Sequence, residues 1–200
     1  MHEGKSLSYP GVTAEERLQA LIALCVKEDR LAQSQLYKAS FDFLYRIAIR
    51  YEKNHDDAIV TINEAFYKVL TGIRSYNPEA PFYPWVKTIL IHTIINKFRK
   101  HNTIKNGRDN TIVSLEDEQV YHTVDADIER AIDSEHVLNI LQQLPECTRN
   151  VFNLYVVEGY PHKDIADMLG ISINTSKWHV AHGKKRLYEV LSANKNQHKI

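Results

Sequence analysis

Apolar residues recur at three- and four-residue steps along most of this chain, and no stretch alternates as a strand would. Leu18, Leu21, Ile22 and Cys25 mark a first helix, opened by Ala14-Glu15-Glu16-Arg17. A second helix is predicted from about Leu31 to Lys53, with Leu36, Phe41, Leu44, Ile47, Ala48 and Tyr51 on its inner face. Asn54-His55-Asp56 breaks it. Asp56 is then the expected cap of a third helix that holds Ala58, Ile62, Ala65, Phe66, Val69 and Leu70 and ends at Gly72. A loop stiffened by Pro78, Pro81 and Pro84 follows, and a fourth helix starts near Pro84, with Trp85, Ile89, His92 or Thr93, and Asn96 along one line. Periodicity lapses over 102–126 and resumes at Asp127, with Ala131, Val137, Leu138 and Leu141 leading to a break at Leu144-Pro145. Helices are predicted over about 128–143, 146–158, 162–169 and 173–192. The fold class is all-α: a loose tail (1–12), a four-helix unit (13–101), a flexible linker (102–126), a second helical domain (127–192) and a C-terminal tail (193–200).

The most specific local pattern lies between Leu144 and Leu191. His162 to Leu169 is a short helix, Gly170-Ile171-Ser172 a turn, and a longer helix begins near Ile173. Pro161 suits the first helical position because it has no N–H to leave unpaired. Gly170 can adopt the left-handed conformation that ends a helix, and the Ser172 hydroxyl can cap the next one. Ile165, Ala166 and Leu169 form the buried side of the first helix; Ile173, Ser176, Val180, Leu187 and Leu191 that of the second. The outer face then holds Thr175, Lys177, Trp178, His179, His182 and Lys185. This is a helix-turn-helix, whose second helix enters the DNA major groove and reads base edges with its early residues. An ordinary helical hairpin with a solvated basic face has the same pattern; the lack of any acid before Glu189 on this helix favours DNA.

Charge changes the picture only when taken by segment. Lys plus Arg and Asp plus Glu are 25 each, so the formal net charge is zero. Trp85 to Arg108 carries six cations (Lys87, Lys97, Arg99, Lys100, Lys105, Arg108) and no acid. Asp109 to Leu144 carries nine acids and only Arg130 as a cation, while the segment from Pro145 has eight cations and five acids. Two basic stretches around an acidic connector cancel in the sum, and binding depends on local potential. Cys25 and Cys147 each sit among apolar helical residues and read as buried thiols, not as a disulfide or metal site. The histidines are scattered with no ligand spacing. With no signal-peptide core at the start and no run of eighteen apolar residues, a soluble cytosolic protein is expected, with no direct membrane insertion.

Aromatic residues beside a basic helix suit single-stranded nucleic acid, since exposed rings stack on unpaired bases and cations hold the backbone. Tyr76, Phe82, Tyr83 and Trp85 supply rings beside Lys87, Lys97, Arg99 and Lys100. Phe82 and Trp85 read equally well as core, whereas Tyr76, in a polar loop, is the expected free ring. There is no Gly-rich phosphate loop, metal constellation or nucleophile–base pattern, so no enzyme, cofactor or small-molecule substrate is expected. A helix-turn-helix regulator that binds duplex DNA by itself explains the second half, but not the Phe82–Lys100 helix.

These residues carry a resemblance to bacterial RNA polymerase sigma factors of the sigma-70 family, extracytoplasmic-function type, over roughly residues 30 to 192. LPECTRNVFNLYVVEGYPHKDIADMLGISINTSKWHVAHGKKRL resembles region 4; DDAIVTINEAF and FYPWVKTILIHTIINKFRK resemble the clamp-binding and melting helices of region 2. The resemblance implies a non-enzymatic initiation subunit with core RNA polymerase and promoter DNA as partners, and it admits an anti-sigma factor. By position it assigns polymerase contact to Asp57, Ala58, Asn63, Glu64 and Phe66. Melting and downstream recognition fall to Tyr76, Asn77, Phe82, Trp85, His92, Asn96 and Arg99, and duplex recognition upstream to Thr175, Lys177, Trp178, His179, His182 and Lys185. The chain departs from the pattern at Ile59 and Val60, where acids are usual, at Asn174 in place of glycine, and at Trp178 in place of a small residue.

Overall fold

The computed structural model describes residues 13–105 and 135–197, with side chains described within 13–101 and 137–190. The expected tail 1–12, residues 106–126 of the expected linker, the start of the helix expected from 128, the Leu191 side chain and residues 198–200 lie outside the described residues. Eight α-helices are described: α1 (Ala14–Val26), α2 (Arg30–Tyr51), α3 (His55–Gly72), α4 (Phe82–Lys105), α5 (Glu135–Gln143), α6 (Glu146–Phe152), α7 (His162–Leu169) and α8 (Ile173–Gln197). A short 3-10 turn extends α3 over Ile73–Ser75, and a π turn extends α6 over Asn153–Val157. The class is all-α, and no strand occurs among the described residues.

Local chemistry sets the boundaries. Thr13 and Glu16 form a capping box on α1: the Thr13 hydroxyl accepts the Glu16 N–H at 3.1 Å and Glu16 accepts the Thr13 N–H at 2.7 Å. Asn54, not Asp56, caps α3, its Oδ1 accepting the Asp57 N–H at 2.9 Å. The helix therefore starts a residue before the expected cap, and Asp56 sits in the first turn, where its charge suits the positive helix end. The fourth helix begins at Phe82, so Pro84 falls inside the first turn, where a missing N–H costs no helical bond. At its far end α8 continues to Gln197, taking in most of what reads as a tail.

The first four helices enclose an apolar core in which Leu36, Leu44, Ile62, Leu90 and Ile91 are fully buried. That core does not stop at the first unit. Val151, Leu154, Ile165, Leu169 and Val180 from the second unit join it, while Val137, Ile140, Leu141, Leu144, Phe152 and Leu187 form a smaller core of their own. Two helical units are present, as the sequence predicts, but they are packed on one another.

The joint is polar at its centre. The last carbonyls of a helix have no partner within it. At the end of α2 they are met by side chains from α6 and its π turn. Arg149 donates from Nε to the Tyr51 carbonyl at 2.7 Å, and Asn153 donates to the Arg50 carbonyl at 2.8 Å; both side chains are buried. A guanidinium also matches the negative end of the α2 dipole. Glu158 then reaches back to the same region, 3.5 Å from Arg50 and 2.9 Å from Lys87 on α4. Its side chain is only 3% exposed, and these two cations pair with its carboxylate. In an α-helix, residues five apart lie about 140° from each other; the wider π turn brings Asn153 and Glu158 to the same side. The Glu158 N–H bonds the Asn153 carbonyl at 3.0 Å across that turn.

Gly183 sets the approach of α8 to α6. A Cβ there would lie 2.8 Å from Cδ2 of Phe152, which is fully buried. Gly183→Ala is expected to destabilise the chain although alanine favours a helix by about 1 kcal/mol. Overpacking costs about 1–3 kcal/mol, so thermal unfolding should show a Tm lowered by several degrees. Glu158→Lys places a third cation between Arg50 and Lys87, and loss of a buried pair costs on the order of 3–5 kcal/mol. Small-angle scattering should show a larger radius of gyration at unchanged helical circular dichroism, reversed by adding Lys87→Glu.

Candidate nucleic-acid and polymerase interface

The helix-turn-helix forms as the pattern predicts. Gly170 has φ 70° and terminates α7, and the Ser172 hydroxyl accepts the Thr175 N–H at 2.9 Å. Pro161 stands one position earlier than expected, as the extended residue before the first helical turn. Ile165, Ala166 and Leu169 are buried, as are Ser176, Val180 and Leu187; Ile165, Leu169 and Val180 share one core, and Leu187 belongs to the smaller one. His162 ties the two helices, its Nδ1 lying 3.0 Å from the Ser176 hydroxyl. Ile173 differs from expectation: it is 45% exposed, because the buried stripe of α8 begins only at Ser176.

On the outer face Lys177 and Lys185 are exposed, and Thr175, Trp178 and His182 are half-buried. Trp178 and His182 stack nearly parallel, 7° apart with ring centres 4.9 Å apart. His179 does not belong to this face. Its Nδ1 lies 2.9 Å from the Thr148 hydroxyl and its Nε2 3.3 Å from Cys147 Sγ, both on α6. Burial, and then His182, push its imidazole down to about 4, so it is neutral at pH 7 and serves the seam between α6 and α8. Position 179 lies at the edge of the inward stripe, and a short polar pair across the seam draws it in. Cys147 is a thiol, as the sequence predicts, pushed up to about 11 by burial and then by Glu146.

The second candidate surface needs a larger correction. Tyr76 is not a free ring. It is 6% exposed, its hydroxyl donates to the Ala80 carbonyl, and it packs at 4.9 Å on Trp85 and 5.7 Å on Phe82. Phe82 is buried too, at 2%, and Trp85 is half-buried with its Cζ2 facing Gly72. The loop folds back because Asn77 accepts the Glu79 N–H at 3.0 Å, turning the chain over its own rings. Asn77 itself is exposed. The exposed stripe on α4 is instead Thr88, His92, Asn96 and Arg99, opposite the buried Val86, Leu90, Ile94 and Phe98. Thr88 was visible from its spacing, four residues before His92. Two of the cations grouped by the sequence are committed elsewhere: Lys97 bonds Glu52 at 2.9 Å and Thr61 at 3.0 Å, and Lys87 bonds Glu158.

On α3, Ala58 and Phe66 are buried and cannot touch a partner directly. Asp57 is half-buried, and its carboxylate accepts from the Asn54 amide at 3.0 Å. Asn63 and Glu64 are exposed, the first accepting from the Tyr37 hydroxyl at 2.7 Å and the second paired with Lys68 at 2.9 Å. The residues position alone missed are Val60 and Tyr67, 60% and 68% exposed, which flank Asn63 and Glu64 on one helical stripe. Their signal in the sequence is the seven-residue spacing of two apolar side chains off the core line.

A model of sigma-70 region 2 matches residues 36–104, and one of sigma-70 region 4 matches residues 134–187. The chain is 27% identical over 177 residues to RNA polymerase sigma factor SigV of Bacillus subtilis (strain 168), covering 88% of this chain and 90% of that protein. It is 28% identical over 173 residues to ECF RNA polymerase sigma factor SigM of Mycobacterium tuberculosis, covering 86% of this chain and 83% of that one. Among solved structures, the sigma factor RpoE in complex with the anti-sigma factor NepR from Bartonella quintana matches at 20% identity and a TM-score of 0.45, covering 80% of this chain and 96% of that chain. With both region models falling in order on the two packed helical units, the chain belongs to the RNA polymerase sigma-70 family, among its extracytoplasmic-function sigma factors.

Proposed function

We propose that this sigma factor divides promoter recognition and polymerase docking among three exposed helical stripes. The outer face of α8, with Thr175, Lys177, Trp178, His182 and Lys185, reads the upstream element as duplex. The stripe of α4, with His92, Asn96 and Arg99, traps the melted downstream strand, and Asn77 adds a polar group from the neighbouring loop. The stripe of α3, with Val60, Asn63, Glu64 and Tyr67, docks on core RNA polymerase. Tyr76, Phe82, Trp85, Ala58, Phe66 and His179 act behind these surfaces by fixing their shape.

The observation that carries this division is exposure. Each stripe stands opposite a largely apolar buried face of the same helix, and none of its side chains is buried. Val60 and Tyr67 are apolar groups turned to solvent beside two polar ones, the mix found at the centre and rim of a protein interface. The work of such a chain is to direct polymerase rather than to catalyse, and it belongs in the cytoplasm with polymerase and promoter DNA. We further infer an anti-sigma partner, a class of regulator that the family resemblance admits.

Fluorescence anisotropy with purified core RNA polymerase tests the docking stripe. The double variant Val60→Asp, Tyr67→Ala should bind core polymerase tenfold or more weakly, the loss of one or two interface anchors. Wild-type affinity would contradict the assignment of α3. A second measurement separates the two nucleic-acid surfaces. His92→Ala with Asn96→Ala should lower initiation on duplex promoters severalfold and recover on a template with a pre-opened downstream element. Equal loss on both templates would mean that α4 does not capture the opened strand.

A further inference from the structure

Trp178 stands at the centre of the outer face of α8. The buried positions Ser176, Val180, Gly183 and Leu187 define the inner face. At about 100° per residue the opposite stripe runs Asn174, Trp178, Ala181, Lys185. Trp178 therefore projects from between a short amide and a methyl group, one turn away on either side. Small neighbours let these early turns approach a surface closely, with the indole as the one large side chain between Asn174 and Ala181 on the stripe. The ring belongs to neither apolar core of the described residues. It is steadied from the side by His182, stacked at 4.9 Å and 7°, and by His179, edge-on at 5.0 Å. His179 is in turn fixed to Thr148 and Cys147 on α6. The indole is thus held through two links to the body of the second unit, and a group so constrained loses little freedom on binding.

What such a group can read is limited by its chemistry. An indole has one N–H donor at its edge and no acceptor. It cannot make the paired hydrogen bonds by which Arg, Asn or Gln recognise guanine or adenine. Its apolar face matches one group in the major groove, the C5 methyl of thymine. Thr175, the nearest hydroxyl on the early turns, lies 2.8 Å from the Ser172 hydroxyl and is engaged in the helix cap. Lys177 is exposed on one flank and Lys185 at the far end of the stripe, where cations meet phosphates.

We propose that Trp178 is the specificity-determining residue of the recognition helix, that it selects a thymine in the upstream duplex through the base's C5 methyl, and that His182 is its positioning residue. The proposal rests on the reading of α8 as the duplex reader. It differs from a general phosphate-binding role because it ties one side chain to one methyl group.

The test uses the full chain with core RNA polymerase. Active promoters are selected from duplexes with a randomised upstream segment. Each thymine of a selected segment is then replaced singly by deoxyuridine, which deletes the methyl and keeps the base pair. One thymine should be sensitive, with initiation falling about fourfold, the equivalent of one buried methyl at ~0.8 kcal/mol. Trp178→Ala should initiate poorly from the thymine template and be indifferent to deoxyuridine at that position. Trp178→Phe should retain the sensitivity, and His182→Ala should reduce it while core polymerase affinity stays at the wild-type level. Tolerance of deoxyuridine at every position by the wild-type chain, or unchanged sensitivity in Trp178→Ala, overturns the proposal while leaving promoter recognition by α8 intact. Loss of core polymerase affinity in Trp178→Ala would make the indole a protein contact, and overturns it too. If no selected duplex supports initiation, the assignment of α8 fails and the proposal with it.

Discussion

The end of α2 is where this molecule is joined. Its final carbonyls need donors, and the donors are the side chains of Arg149 and Asn153, about a hundred residues further along the chain. A hydrogen bond from a charged donor contributes about 1.5–3 kcal/mol, and a buried carbonyl left unmade costs as much. Once Arg149 and Asn153 are committed to α2, the position of α6 is set, and with it the seam on which α8 rests. The π turn after α6 belongs to the same constraint, since it carries Glu158 around to Arg50 and Lys87. The joint is not fully satisfied. The Tyr51 hydroxyl is buried without a hydrogen-bond partner, and burial together with the charge of Glu158 pushes its ionisation well up. Such a joint is specific in geometry yet costly in desolvation, a combination that permits one arrangement and does not make it permanent.

Function follows from what this joint leaves outside. Three helices each turn an apolar face inward and a chemically distinct stripe outward: apolar and polar on α3, polar with a terminal cation on α4, aromatic and basic on α8. Lys87 is the exception that links joint and surface. It lies on α4, the helix that carries the strand-facing stripe, and its charge is held by Glu158 of the second unit. The contact that holds the halves together thus draws on a cation of the helix proposed to face the opened strand.

Much of the fold was legible in the sequence, and the reasons differ by element. The helix-turn-helix was, because its signals are local: Gly170 for a left-handed φ, Ser172 for a cap, and Ile165, Ala166 and Leu169 at helical spacing. The apolar stripe of α3 was read for the same reason. Its cap was not, since Asn54 and Asp56 are both good caps and only the geometry of the preceding break chooses between them. Tyr76 was misread because a polar, proline-rich loop implies exposure, whereas Asn77 turns that loop back over Phe82 and Trp85. His179 lay one helical step from the face it was assigned to, and partners on another helix decided its direction. Above all, nothing local in Arg149 or Asn153 announces that each serves the end of a helix in the other unit. Long-range polar contacts leave no period, and no segment count can find them.

The measurement that tests the account most directly is the distance between the two units in the free chain, read by single-molecule energy transfer between dyes at the exposed Lys53 and Lys163. The account expects one narrow population for the wild-type chain, broadening when Arg149 is replaced by alanine. A broad, shifting distribution in the wild-type chain, unaltered by that replacement, would contradict it: the carbonyls at the end of α2 would not be what joins the halves.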